Sequence, residues 1–231
     1  MPALKQFAHS IRTLLDTPAL RHLWSRHPRP YAQFTFAALG RIAKVSGGVH
    51  PKHIDHAEQL MTDLGFGAND RRRAIAWFAS GKNPEFDFAP LAQACRQTAD
   101  DRDLLNSISL ESLCLMAWTN GPPNTPCQHE LERLAGLLDL QPSDITAAAI
   151  RVTDYQRRQL PVDLRRAYEL LGVDHWVDDA ELKLAYRRLI NRHHPDKLGT
   201  NADAARARNA SENSVAIRAA FDLIRASRNA A

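Results

Sequence analysis

The chain has 231 residues, a hydrophobic fraction of 44%, a charged fraction of 24% and a formal net charge of +4 at pH 7. This composition is typical of a soluble globular protein and excludes a disordered tail, and the length suffices for two ordinary domains or one large one. The net charge permits an acidic partner surface without demanding nucleic acid.

Cysteine and histidine usage argues against metal and disulfide chemistry. The three cysteines, Cys95, Cys114 and Cys127, are widely spaced and form no CxxC pair, which excludes a disulfide framework and argues against a structural zinc site. The ten histidines are scattered. No cofactor or metal is therefore predicted, and the cysteine pattern suits a reducing cytoplasm.

The N-terminal segment, residues 1–30, carries an apolar stripe at helical spacing before Pro18. Packing against its own domain is the ordinary role of such a stripe, and we expect it here. Because Lys5 and Arg12 flank the stripe, weak peripheral contact with a membrane is the alternative. Residues 26–30, "RHPRP", predict a short linker, since two prolines cannot continue a helix. The stripe consists of Leu4, Phe7, Ala8, Ile11, Leu14 and Leu15.

Residues 31–158 have helical periodicity almost throughout and show no alternating strand pattern of useful length. Short turn sequences separate the helices, namely SGG, GAND, SGKNP, TNGPPNTP and LQPSD. The pattern predicts one all-helical domain with short connections and an all-α fold class for the chain.

A weak internal repeat lies within this region. The sequence "IAKVSGGVHPKHIDHAEQLM", from Ile42, aligns without a gap to "MAWTNGPPNTPCQHELERLA", from Met116. Each copy predicts a helix, a glycine turn and a second helix, and two stacked hairpins would bury a shared core. Coincidence between two helical hairpins is the alternative. The matched residues are Ala43 with Ala117, Gly47 with Gly121, Glu58 with Glu132 and Leu60 with Leu134.

Residues 31–158 resemble the TerB-like helical domain. In that family the glycine turns are often acidic, and their carboxylates have suggested metal binding. The equivalent turns here, residues 45–47 and 119–121, contain no carboxylate. Hard cations need several oxygen ligands, so the resemblance does not carry a metal site to this chain.

Pro161 marks a boundary, with residues 159–163 as a linker and residues 164–231 as a C-terminal domain. Its first helix, in "LRRAYELLGV", ends at Gly172 and has apolar positions at Ala167, Tyr168, Leu170 and Leu171. The second, in "DDAELKLAYRRLINRH", has Asp178 as its N-cap and Glu181 to complete a capping box.

The second helix is amphipathic and basic. Its apolar stripe is Leu182, Ala185, Tyr186, Leu189 and Ile190. Its cationic residues lie off that stripe, where they face solvent or a partner, although Leu184 interrupts them; they are Lys183, Arg187, Arg188 and Arg192. Pro195 stops the helix after His194, and Asp196 and Lys197 follow in an exposed loop.

A third helix, ending "VAIRAAFDLIRASR", is expected to pack Ala220 and Phe221 on the stripe of the second. Its apolar positions are Val215, Ile217, Ala220, Phe221 and Ile224. The helices "AYELLGV", "ELKLAYRRL" and "AIRAAFDLI", with the loop HPDK between the last two, together resemble a J domain, the module that stimulates DnaK-type chaperones.

The resemblance implies a role for each residue of this constellation. In the family the basic helix docks on an acidic patch of the chaperone, which predicts chaperone binding by Lys183, Arg187, Arg188 and Arg192. Chaperone binding is likewise expected of the loop residues His194, Pro195, Asp196 and Lys197. Asp196 is expected to make a charge-assisted contact, Pro195 to hold the turn, and His194 to contact the partner or brace the loop. The alternatives are a merely helix-terminating His194 and a merely solvated basic face.

A J domain behind a TerB-like domain resembles the DjlA type of bacterial co-chaperone. The long stretch between Lys197 and Ala216 agrees with that type, which usually begins with a transmembrane anchor. No apolar run in this chain approaches the roughly 18 residues that a membrane helix needs. We therefore expect a soluble, cytoplasmic relative, with peripheral contact at the inner membrane as the alternative.

These features predict a co-chaperone that stimulates a DnaK-type ATPase and performs no chemistry itself, while residues 31–158 select a client or a location. One alternative is a TerB-type scaffold of the envelope stress response without chaperone stimulation. Another is an enzyme using His193, His194 and Asp196, although no partner nucleophile or phosphate loop accompanies them. Nucleic-acid binding is disfavoured, because aromatic residues do not alternate with the charges.

Overall fold

The computed structural model describes residues 29–97, 102–193 and 204–229, and within them every regular element is a helix. The all-α prediction is confirmed. The N-terminal apolar stripe lies outside the described residues. The helices are α1 Arg29–Val45, α2 Pro51–Asp63, α3 Ala68–Gly81, α4 Ala89–Arg96, α5 Arg102–Ala117, α6 Thr125–Leu137, α7 Pro142–Gln159, α8 Val162–Leu171, α9 Asp179–His193 and α10 Ala204–Asn229.

Helix α1 begins earlier than the sequence predicted. Arg29 and Pro30, assigned to a linker, form its first turn. Proline is tolerated there because the N–H groups of a first turn have no partner within the helix.

The chain divides into two compact units, and the boundary falls between Tyr155 and Gln156, inside the last turns of α7. The sequence put the linker slightly later, at residues 159–163. The last turn of α7 belongs to the second unit because Arg157 pairs with Asp174, at 2.9 Å, and Leu160 packs on that unit's apolar core.

Helix α1 is the centre of the first unit and packs against α2, α3, α4, α5 and α6. Because α1 is buried on nearly every side, its surface is apolar almost all the way round the helix and not only along one stripe. Its largest buried side chains are Tyr31, Phe34, Phe36, Leu39 and Ile42.

The two copies of the internal repeat have equivalent local geometry. Gly47 and Gly121 both have positive φ angles, 115° and 109°, which a side chain would disfavour. The hydroxyls of Thr35 and Ser109, 74 residues apart like the two glycines, lie 2.7 Å from each other in the core. Thr35 and Ser109 lie before the aligned segments, in α1 and α5. The correspondence between the two copies therefore extends into the helices that precede the glycine turns, which favours a repeat over coincidence.

The helices that follow the two glycine turns also begin at equivalent places. Helix α2 follows His50, whose backbone N–H donates to Nδ1 of His53 at 3.1 Å. Helix α6 follows Asn124, whose Oδ1 accepts a hydrogen bond from the backbone N–H of Cys127 at 2.9 Å. Both caps satisfy a backbone N–H group that would otherwise lack a partner within the helix.

In the described part of the chain, no helix is both long enough and apolar enough to cross a membrane. The three cysteines are buried free thiols.

Candidate functional site

The candidate site belongs to the second unit, where α8, α9 and α10 pack on one another. Small and branched apolar side chains from all three helices form a single core. Tyr186, Leu189 and Ile190 of α9 pack against it while remaining partly exposed. The fully buried members are Ala167, Tyr168, Leu171, Leu182, Ile217, Ala220 and Ile224.

Local sequence signals define where α8 ends and α9 begins. Gly172 adopts the left-handed conformation, with φ 65°, and terminates α8, as the sequence predicted. Asp178 Oδ1 accepts a hydrogen bond from the backbone N–H of Glu181 at 2.7 Å, which confirms Asp178 as the cap of α9.

The contact between α9 and α10 includes an aromatic stack. The rings of Tyr186 and Phe221 lie 4.3 Å apart between centroids with an interplanar angle of 22°. Because Tyr186 belongs to the apolar stripe of α9, this stack confirms the predicted contact of Phe221 with that stripe. Aromatic pairs of this kind stabilise a core beyond the area that they bury.

Two of the apolar positions named from the sequence are exposed. Leu170 in α8 is 46% exposed and Val215 in α10 is 67% exposed. Each lies on the side of its helix that faces away from the three-helix core, because α8 and α10 each bury only one stripe there. Helix α10 also begins at Ala204, so much of the long stretch before Ala216 is helical.

Arg228, near the end of α10, holds the start of α9. Its guanidinium donates to Asp179 Oδ1 and to the carbonyl of Val177, both at 2.6 Å. It also lies over the ring of Tyr168, 5.9 Å from the ring centroid. Burial lowers the pKa of Arg228, but its hydrogen bonds to Tyr168 and Asp179 outweigh that effect, and the pKa lies above its ordinary value. These contacts join the start of α9, whose outer face is exposed to solvent, to α10.

That outer face carries all four cationic residues predicted from the sequence, and all four are exposed. We call Lys183, Arg187, Arg188 and Arg192 the basic face. None of them forms an ion pair or hydrogen bond with another residue that the structure describes. Elsewhere in the unit, Arg157 pairs with Asp174 and Arg228 with Asp179. The charge of the basic face is thus uncompensated by the described part of its own unit.

The predicted loop residues His194, Pro195, Asp196 and Lys197 lie outside the described residues. The structure does describe the point from which the loop departs. His193 ends α9, and its carbonyl accepts a hydrogen bond from the hydroxyl of Ser214 in α10 at 2.9 Å. This bond ties the end of α9 to α10, and periodicity alone did not indicate Ser214 as a contact.

A cavity of about 210 Å³ lies between the end of α7 and α8, lined by Leu160, Tyr168 and Val173 and by charged groups of both signs. The Arg157–Asp174 ion pair is part of its wall. Among the described residues, no three His, Cys, Asp or Glu side chains are grouped so as to hold a metal ion.

The family model that matches the chain is the DnaJ domain, over residues 166–228. The match covers α9, the loop, the C-terminal part of α8 and nearly all of α10. No solved structure matches the chain significantly. The three-helix unit with its basic face is therefore a J domain.

Similarity to known proteins extends well beyond that domain. The chain is 31% identical over 184 residues to the co-chaperone protein DjlA of Shewanella oneidensis, an alignment that covers 71% of this chain and 64% of the relative. It is 29% identical to DjlA of Coxiella burnetii, covering 79% and 71% of the two chains, and 29% identical to DjlA of Vibrio vulnificus, covering 82% and 75%. Over most of its length the chain is therefore similar to co-chaperones of the DjlA type.

Proposed function

We propose that the protein is a co-chaperone whose J domain binds a DnaK-type chaperone and stimulates its hydrolysis of ATP. The observation that carries this proposal is the basic face of α9, which is exposed, forms no ion pair with the described residues, and lies directly before the sequence His194-Pro195-Asp196 in a DnaJ domain. Such a face suits an acidic partner surface, since complementary charge steers and orients an encounter.

The basic face and the loop have different roles in the proposed complex. Lys183, Arg187, Arg188 and Arg192 attract and orient the chaperone. In the loop that runs to Lys197, Asp196 accepts charge-assisted hydrogen bonds from the chaperone. Pro195 restricts the backbone of His194 and so sets the direction in which the loop leaves α9.

The protein would regulate its partner without chemistry of its own. Bond breaking takes place in the chaperone. The J domain would bind the hydrolysing conformation of the chaperone more tightly than its other conformation, and docking would therefore shift the chaperone toward hydrolysis. Residues 31–158 would select the client or the location. The proposed compartment is the cytoplasm, in agreement with three buried free thiols.

Single-turnover ATP hydrolysis by the DnaK-type chaperone of the same species tests this function. The native chain is expected to raise the rate, and the Asp196→Asn variant to lose that stimulation because a neutral amide replaces the charged acceptor. The variant keeps the basic face, so it is expected to retain weak, salt-dependent binding.

Equal turnover with and without the native chain would contradict the proposal. The similarity to DjlA co-chaperones and the intact His-Pro-Asp sequence disfavour a scaffold that leaves the chaperone unstimulated. If the chain bound the chaperone without raising turnover, that scaffold interpretation would replace ours.

A further inference from the structure

Leu184 is an apolar side chain on the solvent side of α9. It is 56% exposed, whereas Leu182 and Ala185, which lie close to it in sequence, are buried. At 100° per residue, Leu184 falls between Lys183 and Arg187 on one side and Arg188 and Arg192 on the other. It therefore occupies the centre of the basic face.

The immediate surroundings of Leu184 are charged. Arg187 and Arg188 lie three and four residues further along the helix, the spacing at which helical side chains adjoin. Glu181 borders it on the N-terminal side and is the one carboxylate on this side of the helix. Towards the loop, the surface next to Leu184 is cationic and has no opposing carboxylate among the described residues.

Leu223 in α10 provides the comparison within the same unit. It is 41% exposed, yet its neighbours at helical spacing are Ala219, Ala226 and Ser227, and none of these carries a charge. A single exposed leucine has no functional meaning by itself. What distinguishes Leu184 is its position at the centre of four cations that form no ion pair within the described part of the chain. An apolar centre with a polar rim is the arrangement of a binding hot spot.

We propose that Leu184 is an apolar contact residue at the centre of the chaperone-docking surface, and this inference rests on the function proposed above. The partner it fits is a surface on the DnaK-type chaperone with an apolar depression bordered by carboxylates. The carboxylates pair with the basic face, and Leu184 fills the depression. The cations govern the rate of encounter and its salt dependence, while Leu184 slows dissociation.

The test measures the dissociation constant and the dissociation rate of the complex between the full chain and the chaperone. Both are measured at about 50 mM salt, where charges on the two proteins are weakly screened, and at about 300 mM salt, where they are strongly screened. Leu184→Ala is expected to weaken binding roughly tenfold, from the apolar area that a leucine buries. The loss is expected to be equal at both salt concentrations and to come from faster dissociation.

Two other variants separate the apolar effect from the electrostatic one. Arg188→Gln is expected to weaken binding strongly at low salt and little at high salt, because screening already removes the contribution of its charge. Leu223→Ala, the matched exposed leucine, is expected to bind like the native chain. Far-ultraviolet circular dichroism checks that each variant is folded, and alanine at position 184 keeps a high helix propensity.

Native affinity in Leu184→Ala, or an equal loss in Leu223→Ala, would overturn the inference while leaving the proposed function intact. A loss in Leu184→Ala that disappears at high salt would also overturn it, since an apolar contact is not screened. If the native chain neither binds nor stimulates the chaperone, the proposed function fails and the inference fails with it.

Discussion

Glu111 in α5 is a carboxylate in the core of the helical unit. It is 3% exposed and pairs with Arg151 of α7 at 2.5 Å. Burial raises the pKa of Glu111 above its ordinary value of 4.5, and the attraction and hydrogen bond of Arg151 offset only part of that effect. Desolvation therefore outweighs pairing, as is common for buried ion pairs.

A pH dependence of stability follows from this residue. A carboxyl whose pKa is higher in the folded state contributes stability that is fully present below its unfolded value, and that contribution is lost as pH rises through the folded pKa. The free energy of unfolding of the native chain, relative to Glu111→Gln, is expected to decrease as pH rises from about 4 to 7. Urea unfolding across this range measures it.

Arg151→Gln supplies the control for this prediction. It removes the group that lowers the pKa of Glu111, so the decrease in the free energy of unfolding should become larger and extend to higher pH. A difference between the native chain and Glu111→Gln that does not change with pH would contradict the assigned cause.

At the scale of elements, the crossing of α1 and α3 depends on two glycines. A Cβ on Gly40 would lie 2.0 Å from the carbonyl oxygen of Phe78, and one on Gly81 would lie 1.8 Å from that of Ala37. Neither oxygen can move without moving its helix. The two backbones therefore approach as closely as they do only because both positions lack a side chain.

Gly40→Ala is expected to destabilise the protein by roughly 1–3 kcal/mol, the usual cost of overpacking a close contact. Alanine favours a helix over glycine by only about 1 kcal/mol, so the clash outweighs the gain in propensity. Gly136→Ala in α6 is the matched control, since nothing lies within 4 Å of its Cβ position. It should be neutral or stabilising in the same urea unfolding experiment, and equal effects of the two variants would contradict this account.

At the scale of the molecule, the two units have separate cores. The core of the first unit is built around α1 and includes residues from Tyr31 to Val152. The core of the second draws on α8, α9 and α10, supported by the ion pairs of Arg157 and Arg228. A domain with its own core and its own polar contacts is able to fold alone.

The fragment 156–231 is accordingly expected to be helical and to unfold cooperatively on its own, with modest stability because a small domain buries a smaller share of its surface. Circular dichroism during urea unfolding checks this. A fragment that starts at residue 164 is the comparison: it lacks Arg157 and Leu160 and should be less stable. A gradual, non-cooperative transition in fragment 156–231 would count against an independent unit.

Much of the second unit was predictable because its signals are local. Asp178, Gly172 and the stripe of α9 act through neighbours three or four residues away. The exposure of the basic face followed from the same periodicity. The exposure of Leu170 and Val215 did not follow from the sequence, because α8 and α10 have apolar residues on more than one side, and periodicity does not say which side meets a neighbour.

The sequence alone determined the all-α class, the places where most helices begin and end, and the basic face that precedes His194-Pro195-Asp196, because each depends on residues close together in the chain. Only the tertiary structure decided that Glu111 meets Arg151, that Thr35 touches Ser109, and that α1 and α3 cross at two glycines. These contacts join residues about 40 to 74 positions apart. Their physical cause is packing, which depends on the whole set of helices at once.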